Sequence, residues 1–563
     1  MKWELRQKSV FKPFLELQQE KYKAIGIHPV MAEVLVNRGY NFDDINDLIS
    51  HPGNCLDDPT EMYGCEEAAK AILAAVKDKK DIYVFADYDV DGLTSGYVMT
   101  NYLRMLGSNV TVYYPERNEG YGLNLVWLQK IPKGSVVITV DNGVTALPGI
   151  RYCKDNDITI IVTDHHEPSE NKFDIPICDP HLDPKGKGHH LCGAAVAWKL
   201  CIYMDKQLNK NEAWKFTPYA AIGTIADVMP MTLENMAIVK TGLEMIGKGF
   251  APNVKRFFSG LDIKYPTAED IGWKLAPRLN ACGRMGNVNL AADFLFCNDS
   301  NELNRIILKI NEVNETRKSI SKEAITDALR RDYTYDAFCL YDATAYPSGI
   351  AGIVANSLVE KFDKPAIVYT RNNGSIWPAS MRSNGFNILP YLEKQKQQSI
   401  IYNYGGHAQA CGISLFPDIE TFKTSLNGYL RIPFLEYKKK EPVTYVDAVI
   451  TLEDVNRQLY NNVNLIPTDT AVFPKPVFMI RNLEVKGVSA SRNNANNIKF
   501  TFIDDNLKLH DFWGWNKAAK YKELGFPSKV DIIGTLSPGF GKATKDIMLT
   551  VEDIRHGTTG KLR

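Results

Sequence analysis

Eight residues in the first 230 have types that do chemistry together: Asp87, Asp89 and Asp91 in DYDVDG, Asp141 in VDNG, Asp164, His165 and His166 in a row, and Asp227 in IADVMP. So many carboxylates in one place repel unless something positive neutralises them. Oxygen donors with one or two imidazoles suit Mn²⁺ or Mg²⁺, whereas zinc favours more nitrogen or sulfur. The set is large enough for two ions. Two ions a few ångströms apart activate water and stabilise both the attacking and the leaving oxygen at phosphorus, so the chemistry to expect is metal-dependent phosphodiester hydrolysis. Asp227 follows a run of small and apolar residues, where a carboxylate without a partner is costly, so it is expected to meet a metal as well. Asp164 is expected to orient His165 rather than to bind metal. The competing reading of an aspartate after a strand is a helix N-cap or turn former.

These residues need a scaffold that gathers them. The segments IYVFA, VVITV and ITIIVT run directly into Asp87, Asp141 and Asp164. Short apolar runs alternating with helix-like stretches predict βαβ units and a mostly parallel sheet. In such a sheet ligands bind beyond the carboxyl ends of the strands, so all three tips share one edge. Asp141, on the middle tip, is the choice for a bridging ligand.

Around this sheet, residues 1–65 read as a small helical cap, and 66–300 as the catalytic α/β domain. Residues 301–332 carry apolar positions at helical spacing among many charges and predict a long linker helix. A smaller α/β unit follows over 333–438, with the glycine-rich turn GGHAQACG. Short strands over 439–563 predict a β-barrel.

Composition bounds the rest. A chain of 563 residues that is 45% hydrophobic has the material for several cores and is no disordered polymer. No apolar run reaches the ~18 residues of a membrane span. The polar start MKWELRQKSVFKPF lacks a secretory core, and ten scattered cysteines show no metal spacing, so a cytoplasmic protein without a membrane partner is expected. The 66 basic and 66 acidic residues exclude a broad basic coat for duplex DNA but not a locally charged channel.

DYDVDG, Asp141-Asn-Gly, the Asp164-His165-His166 triplet and Ala226-Asp227 resemble the four motifs of the DHH phosphoesterases. EGYGL at 119–123, PRLNACGR at 277–284, LNRIILKINEVNETR, the serine–arginine segment at 380–383 and GGHAQACG at 405–412 are similar to the RecJ exonucleases. The resemblance covers nearly the whole chain and is stronger through residue 430. It implies a parallel-sheet DHH domain, a linker helix, a smaller α/β DHHA1 domain and an OB-like barrel. It also implies a two-metal, 5′-to-3′ exonuclease acting on single-stranded DNA in repair and recombination. Carried over, Asp87, Asp89, Asp91, Asp141, His165 and Asp227 are metal ligands, with Asp87 the one that stands as either ligand or outer partner. His166 lies near the scissile phosphate and serves the leaving group. Phe85 stands where several relatives carry a histidine, Ala345 and Tyr346 replace a tryptophan–histidine pair, and the loop 467–475 lacks glycines common there.

An enzyme that starts at an end must hold that end. Arg278, Arg284, Ser380 and Arg382 have the chemistry for a 5′-phosphate, although an arginine fork also serves as a structural brace. Gly405, Gly406 and His407 offer backbone and imidazole donors. Tyr121, with Tyr113 and Tyr114, is a candidate base-stacking residue, and Phe512, Trp513 and Trp515 are candidates in the barrel, with core as the competing reading. The family leads one to expect a monomer with a helicase and a single-strand-binding protein as partners. Two other readings stand: a DHH phosphodiesterase for short oligonucleotides or cyclic dinucleotides, which the ~130 further residues disfavour, and a non-catalytic replication scaffold, which the nearly complete ligand set disfavours.

Overall fold

The computed structural model describes residues 2–6, 12–116, 122–168, 174–439, 443–467, 474–504, 506–539 and 546–558. Tyr121 and most of the 467–475 loop lie outside them. The chain divides into two compact units, one of Asp57–Met229 with Thr241–Lys440, the other of Met1–Leu56, Pro230–Lys240 and Glu441–Arg563.

The first of these carries the expected parallel sheet. Its five strands lie in the order Val110–Tyr113, Ile82–Ala86, Val136–Val140, Thr159–Thr163, Ile177–Cys178, all parallel. The central Val136–Val140 strand is buried at every position, as an all-apolar strand covered on both faces should be. The chain leaves Ile82–Ala86 for one side, returns, and continues on the other through Val136–Val140. The order therefore reverses between these two strands, and their carboxyl ends open the crevice where doubly wound sheets bind ligands. Phe85 belongs to the core, meeting Tyr113 edge-on at 5.3 Å. Tyr113 packs in turn on Trp127, and Tyr114 is buried with its hydroxyl donating to Leu93 O. Both tyrosines are therefore structural here, contrary to the stacking expectation, because Tyr113 packs into the core of Phe85 and Tyr114 packs against the helix that carries Leu93 and Gly96.

Helices cover the sheet and continue to residue 296. One unbroken helix, Ser300–Leu329, then follows, capped by Asp299, whose carboxylate accepts the Asn301 and Glu302 amides. The smaller sheet is mixed, in the order Ile401–His407, Ala410–Leu415, Trp377–Arg382, Ala366–Tyr369, Cys339–Asp342. Separate apolar clusters built on Phe338, Met381 and Phe422, and on Val354, Leu358 and Val368, fill it. The glycine-rich turn GGHAQACG joins two strands rather than a strand and a helix. It is a hairpin in which His407 pairs with Ala410 across two residues, and the glycines lie within the strands.

In the second unit, antiparallel strands run Leu509–Gly514, Ile498–Ile503, Phe478–Ala490, Lys529–Pro538 and Ile547–His556. Phe512 is core, whereas Trp513 and Trp515 stack on each other at 5.5 Å. The amino-terminal region is not purely helical as read. Lys2–Leu5 is a strand parallel to Val443–Val446, and Trp3 Nε1 donates to Asp553 at 3.0 Å. Four residues whose hydrogen bonds are made some 440 positions away leave no local pattern to read.

Candidate metal centre

Each chemistry-bearing side chain is placed by the end of a strand or helix. After Ile82–Ala86 the chain turns into the helix Val90–Met105, and Asp89 is its N-cap, accepting the Gly92 amide at 3.0 Å. The helix N-cap reading of an aspartate after a strand thus holds for Asp89. The turn is tight enough that a Cβ on Gly92 would stand 2.5 Å from Asp87 O. Asp91, one helical position in, accepts Gly193 N at 2.6 Å and Ala194 N at 2.9 Å, the first amides of the helix Gly193–Leu208. A helix amino terminus favours a carboxylate there, and each oxygen keeps a second lone pair.

Asp141 follows the central strand in the left-handed region, φ 59°, a conformation that aspartate tolerates better than most residues. Its carboxylate is 2% exposed as a residue, and Oδ1 accepts no hydrogen bond, although His165 Nε2 lies 3.0 Å away. The same imidazole nitrogen is 3.6 Å from Asp91 and 3.8 Å from Asp227, which ends the helix Thr217–Ala226. Asp87, Asp89 and Asp141 bring oxygen atoms within 4.8 Å of one another. Asp91, His165 and Asp227 do the same, as do Asp141, His165 and His166. Asp141 and His165 each belong to two of these groups.

Electrostatics show how unfavourable this gathering is without a cation. Burial, then the charges of Asp91, Asp89, Asp87 and Asp227, push the Asp141 carboxyl far above the ordinary carboxylate range. Burial and Asp91 raise Asp89, and burial with Asp91 and Asp89 raises Asp227. Burial lowers the His165 pKa against the pull of Asp91. An orphaned buried oxygen, repelling carboxylates and a mostly oxygen donor set fit a hard divalent cation.

Asp164 behaves differently. Its two oxygens accept the Val144 and His165 amides and the Nδ1 of His166 at 2.7 Å. It therefore orients His166; the expectation that it orients the His165 ring is corrected, because the turn after Thr163 presents only the His165 amide to it. Burial opposes the charged imidazolium of His166, but the Asp164 hydrogen bond and the charges of Asp164, Asp227 and Asp87 outweigh it and push the pKa up to about 9.

Sequence reasoning missed the residues that let these groups converge. A Cβ on Gly193 would stand 2.5 Å from Asp141 Cβ, and one on Gly223 2.4 Å from Asp91 Oδ1. Both glycines lie in stretches legible only as helices. Asn142 Nδ2 ties the carbonyls of Phe85 and Val140 together, and Asn280 Oδ1 accepts the Val90 amide.

The arginines divide. Arg278 donates to Asn311 of the long helix at 2.7 Å and to Lys274 O at 2.6 Å, the geometry of a brace. Arg284 donates to Gly349 O at 2.8 Å, and a Cβ on Gly349 would stand 2.1 Å from Arg284 O. Gly352 leaves room for the Arg382 guanidinium, 2.7 Å from where its Cβ would be. Register puts Ser380 beside Gly412 and Gly405, and Arg382 beside Ala410 and His407. Directly paired residues share a sheet face, so these six form one surface opposite the buried Ala379 and Met381. A Cβ on Gly405 would meet nothing. Gly406 turns the other way, at φ 126°.

Comparison with known proteins agrees with this geometry. The family models for the DHH family N-terminal domain, the DHHA1 domain and the RecJ OB domain match residues 81–224, 336–431 and 446–553. The single-stranded-DNA-specific exonuclease RecJ of Bacillus subtilis strain 168 is 31% identical over 98% of this chain and 70% of its own length. That of Thermus thermophilus is 27% identical over 86% and 70%. The crystal structure of the Thermus RecJ in complex with Mn²⁺ superposes with a TM-score of 0.81 at 22% identity, covering 99% of this chain and 80% of that one, and so shares the fold. A manganese-bound exonuclease RecJ gives 0.58 at 26% identity over 66% and 95%. With its acidic strand tips gathered beneath the Gly193 helix and all three family models matched in order, the chain belongs to the RecJ family of DHH phosphoesterases.

Proposed function

We propose that this chain is a metal-dependent exonuclease that hydrolyses single-stranded DNA from its 5′ end, in DNA repair and recombination. The observation that carries the reading is the bare, buried Oδ1 of Asp141 amid four further carboxylates and His165. The names of the relatives and the Mn²⁺ and Mg²⁺ in two solved ones support it. In this reading Asp87, Asp89, Asp91, Asp141, His165 and Asp227 would hold two divalent ions. Such ions, when bound, supply activation of water and neutralise charge developing at phosphorus. Asp164 holds His166 by Nδ1, so the proton that His166 passes to a leaving oxygen comes from Nε2. The Asp164 hydrogen bond favours the protonated imidazole and so helps to hold that proton.

The face bearing Ser380, Arg382 and His407 is the proposed seat of the 5′-phosphate, with smooth backbone at Gly405 and Gly412 beside it. Incubation with Mn²⁺ and a long 5′-phosphorylated single strand tests the activity. Progressive release of mononucleotides is expected; an intact strand with rapid cleavage of dinucleotides defeats the proposal. Arg382→Ala should slow 5′-phosphorylated substrates more than 5′-hydroxyl ones, and equal losses reject the phosphate role.

A further inference from the structure

Trp273 is the most exposed tryptophan among the described residues, at 70%. An indole left in water forgoes a large apolar burial, so its surroundings matter. It sits on a single π-helical turn, Ile271–Leu275, whose Ile271 and Leu275 are buried and whose opposite side presents Trp273. Such turns are rare and recur at functional sites.

The turn lies against the helix that ends at Asp227 on one side and is hydrogen-bonded to Arg278 on the other. A Cβ on Gly272 would touch Ile225 Cγ2 at 3.6 Å, two residues before Asp227. Lys274 offers its carbonyl to Arg278 at 2.6 Å and its ammonium to Asp270 at 2.7 Å. The helix that follows is pinned where the ligands begin, with Asn280 on the Val90 amide and Gly283 against Tyr88 O. Asp227 is the ligand that opens to solvent, its side chain 34% exposed, and Val228 beside it is 61% exposed at φ 55°. Trp273 and Val228 thus place exposed apolar surface beside the segment that carries Asp227, with Arg278 hydrogen-bonded to the same turn.

We propose, resting on the nuclease reading above, that Trp273 is a stacking platform for a nucleobase of the single strand. A base accepts stacking on either face regardless of sequence, as an exonuclease that passes over every base requires. An indole ring also suits a non-sequence-specific contact better than a hydrogen-bonding side chain does.

The test measures binding and cleavage separately on the full chain. Labelled 5′-phosphorylated oligothymidylate is titrated with Ca²⁺ in place of Mn²⁺ and read by anisotropy. A series of strands, each abasic at one successive position, is run alongside, and KM and kcat are measured with Mn²⁺. Trp273→Ala should weaken binding and raise KM about tenfold, with a smaller change in kcat, and Trp273→Phe should restore most of the loss. The wild type should lose affinity at one abasic position, and Trp273→Ala should be insensitive there. Unchanged binding in Trp273→Ala, or equal sensitivity of both proteins at every abasic position, overturns the proposal. A wild type that binds the strand through Trp273 yet does not cut it overturns the nuclease reading and leaves the stacking contact standing. Absence of binding overturns both.

Discussion

Two buried groups of aspartates in this chain are built in opposite ways. In the unit of the chain ends, Asp447 is 3% exposed and accepts both arms of Arg38 at 2.8 Å and the Val477 amide at 2.9 Å. Asp531, fully buried, accepts Arg555, Thr558 and the Asn482 amide, and these outweigh burial to hold its carboxyl below the usual range. Asp141 is equally buried, yet its Oδ1 accepts no hydrogen bond and, apart from His165 at 3.0 Å, its charged neighbours are carboxylates. Burial alone therefore says little about an aspartate; the sign of its neighbours separates a satisfied anchor from a carboxylate that a cation would have to neutralise.

The sharpest way to break this comparison is at Asp141. Asp141→Asn, which tolerates the left-handed backbone, should cut single-strand hydrolysis by about a thousandfold or more, ~4 kcal/mol of barrier. In EDTA it should melt no lower than the wild type, because it removes a repelling charge. A variant that keeps near-normal rates, or melts well below the wild type without metal, would put Asp141 in the class of Asp447.

Arg38→Ala is the mirror experiment. It leaves Asp447 with Arg6 at 3.2 Å as its remaining cation and should cost about 2–3 kcal/mol in denaturant unfolding of the unit that contains both. A loss under about 1 kcal/mol would mean that Asp447 is not an anchor.

Metal should act on one group alone. Carboxyls whose folded pKa is raised stabilise the fold below their unfolded pKa, and that contribution fades as pH rises through the folded value. The metal-free protein should thus weaken on going from pH 5 to pH 8 as Asp141, Asp227 and Asp89 ionise. Mn²⁺ at about a hundred times its Kd adds about 2.7 kcal/mol. The gain in melting temperature should be larger at pH 8 than at pH 6, and a gap that narrows with pH contradicts the assignment.

Asp164 is an intermediate case, a buried carboxylate satisfied by amides and His166. Asp164→Asn should lower kcat about 10- to 100-fold with little change in KM. The smallest effect lies in the other unit, where neutral His28 Nδ1 accepts the Val30 amide as an N-cap. Burial lowers its pKa against the pull of Asp454, so its stabilisation is full above the unfolded value near 6.5 and is lost as pH falls through it. The cap is worth about 1 kcal/mol, and His28→Asn should flatten that part of the stability profile between pH 7 and 5.

What the sequence by itself determined is the local part. Apolar runs of five residues specify strands, and the polar residues that end those runs gather because parallel strands present their carboxyl ends together. The long helix is equally legible, since it rests on spacing along the chain. Tertiary structure decided the rest. Only the strand order puts Asp141 between the other two tips, and only close packing shows that Gly193 and Gly223 must lack side chains. The partner of Asp164, the strand at Lys2–Leu5 and the shared face of Ser380, Arg382 and His407 depend on register between distant segments. The contrast between Asp141 and Asp447 was hidden for the same reason. Both are single aspartates beside valines in the sequence, and the charge that each meets comes from residues far along the chain.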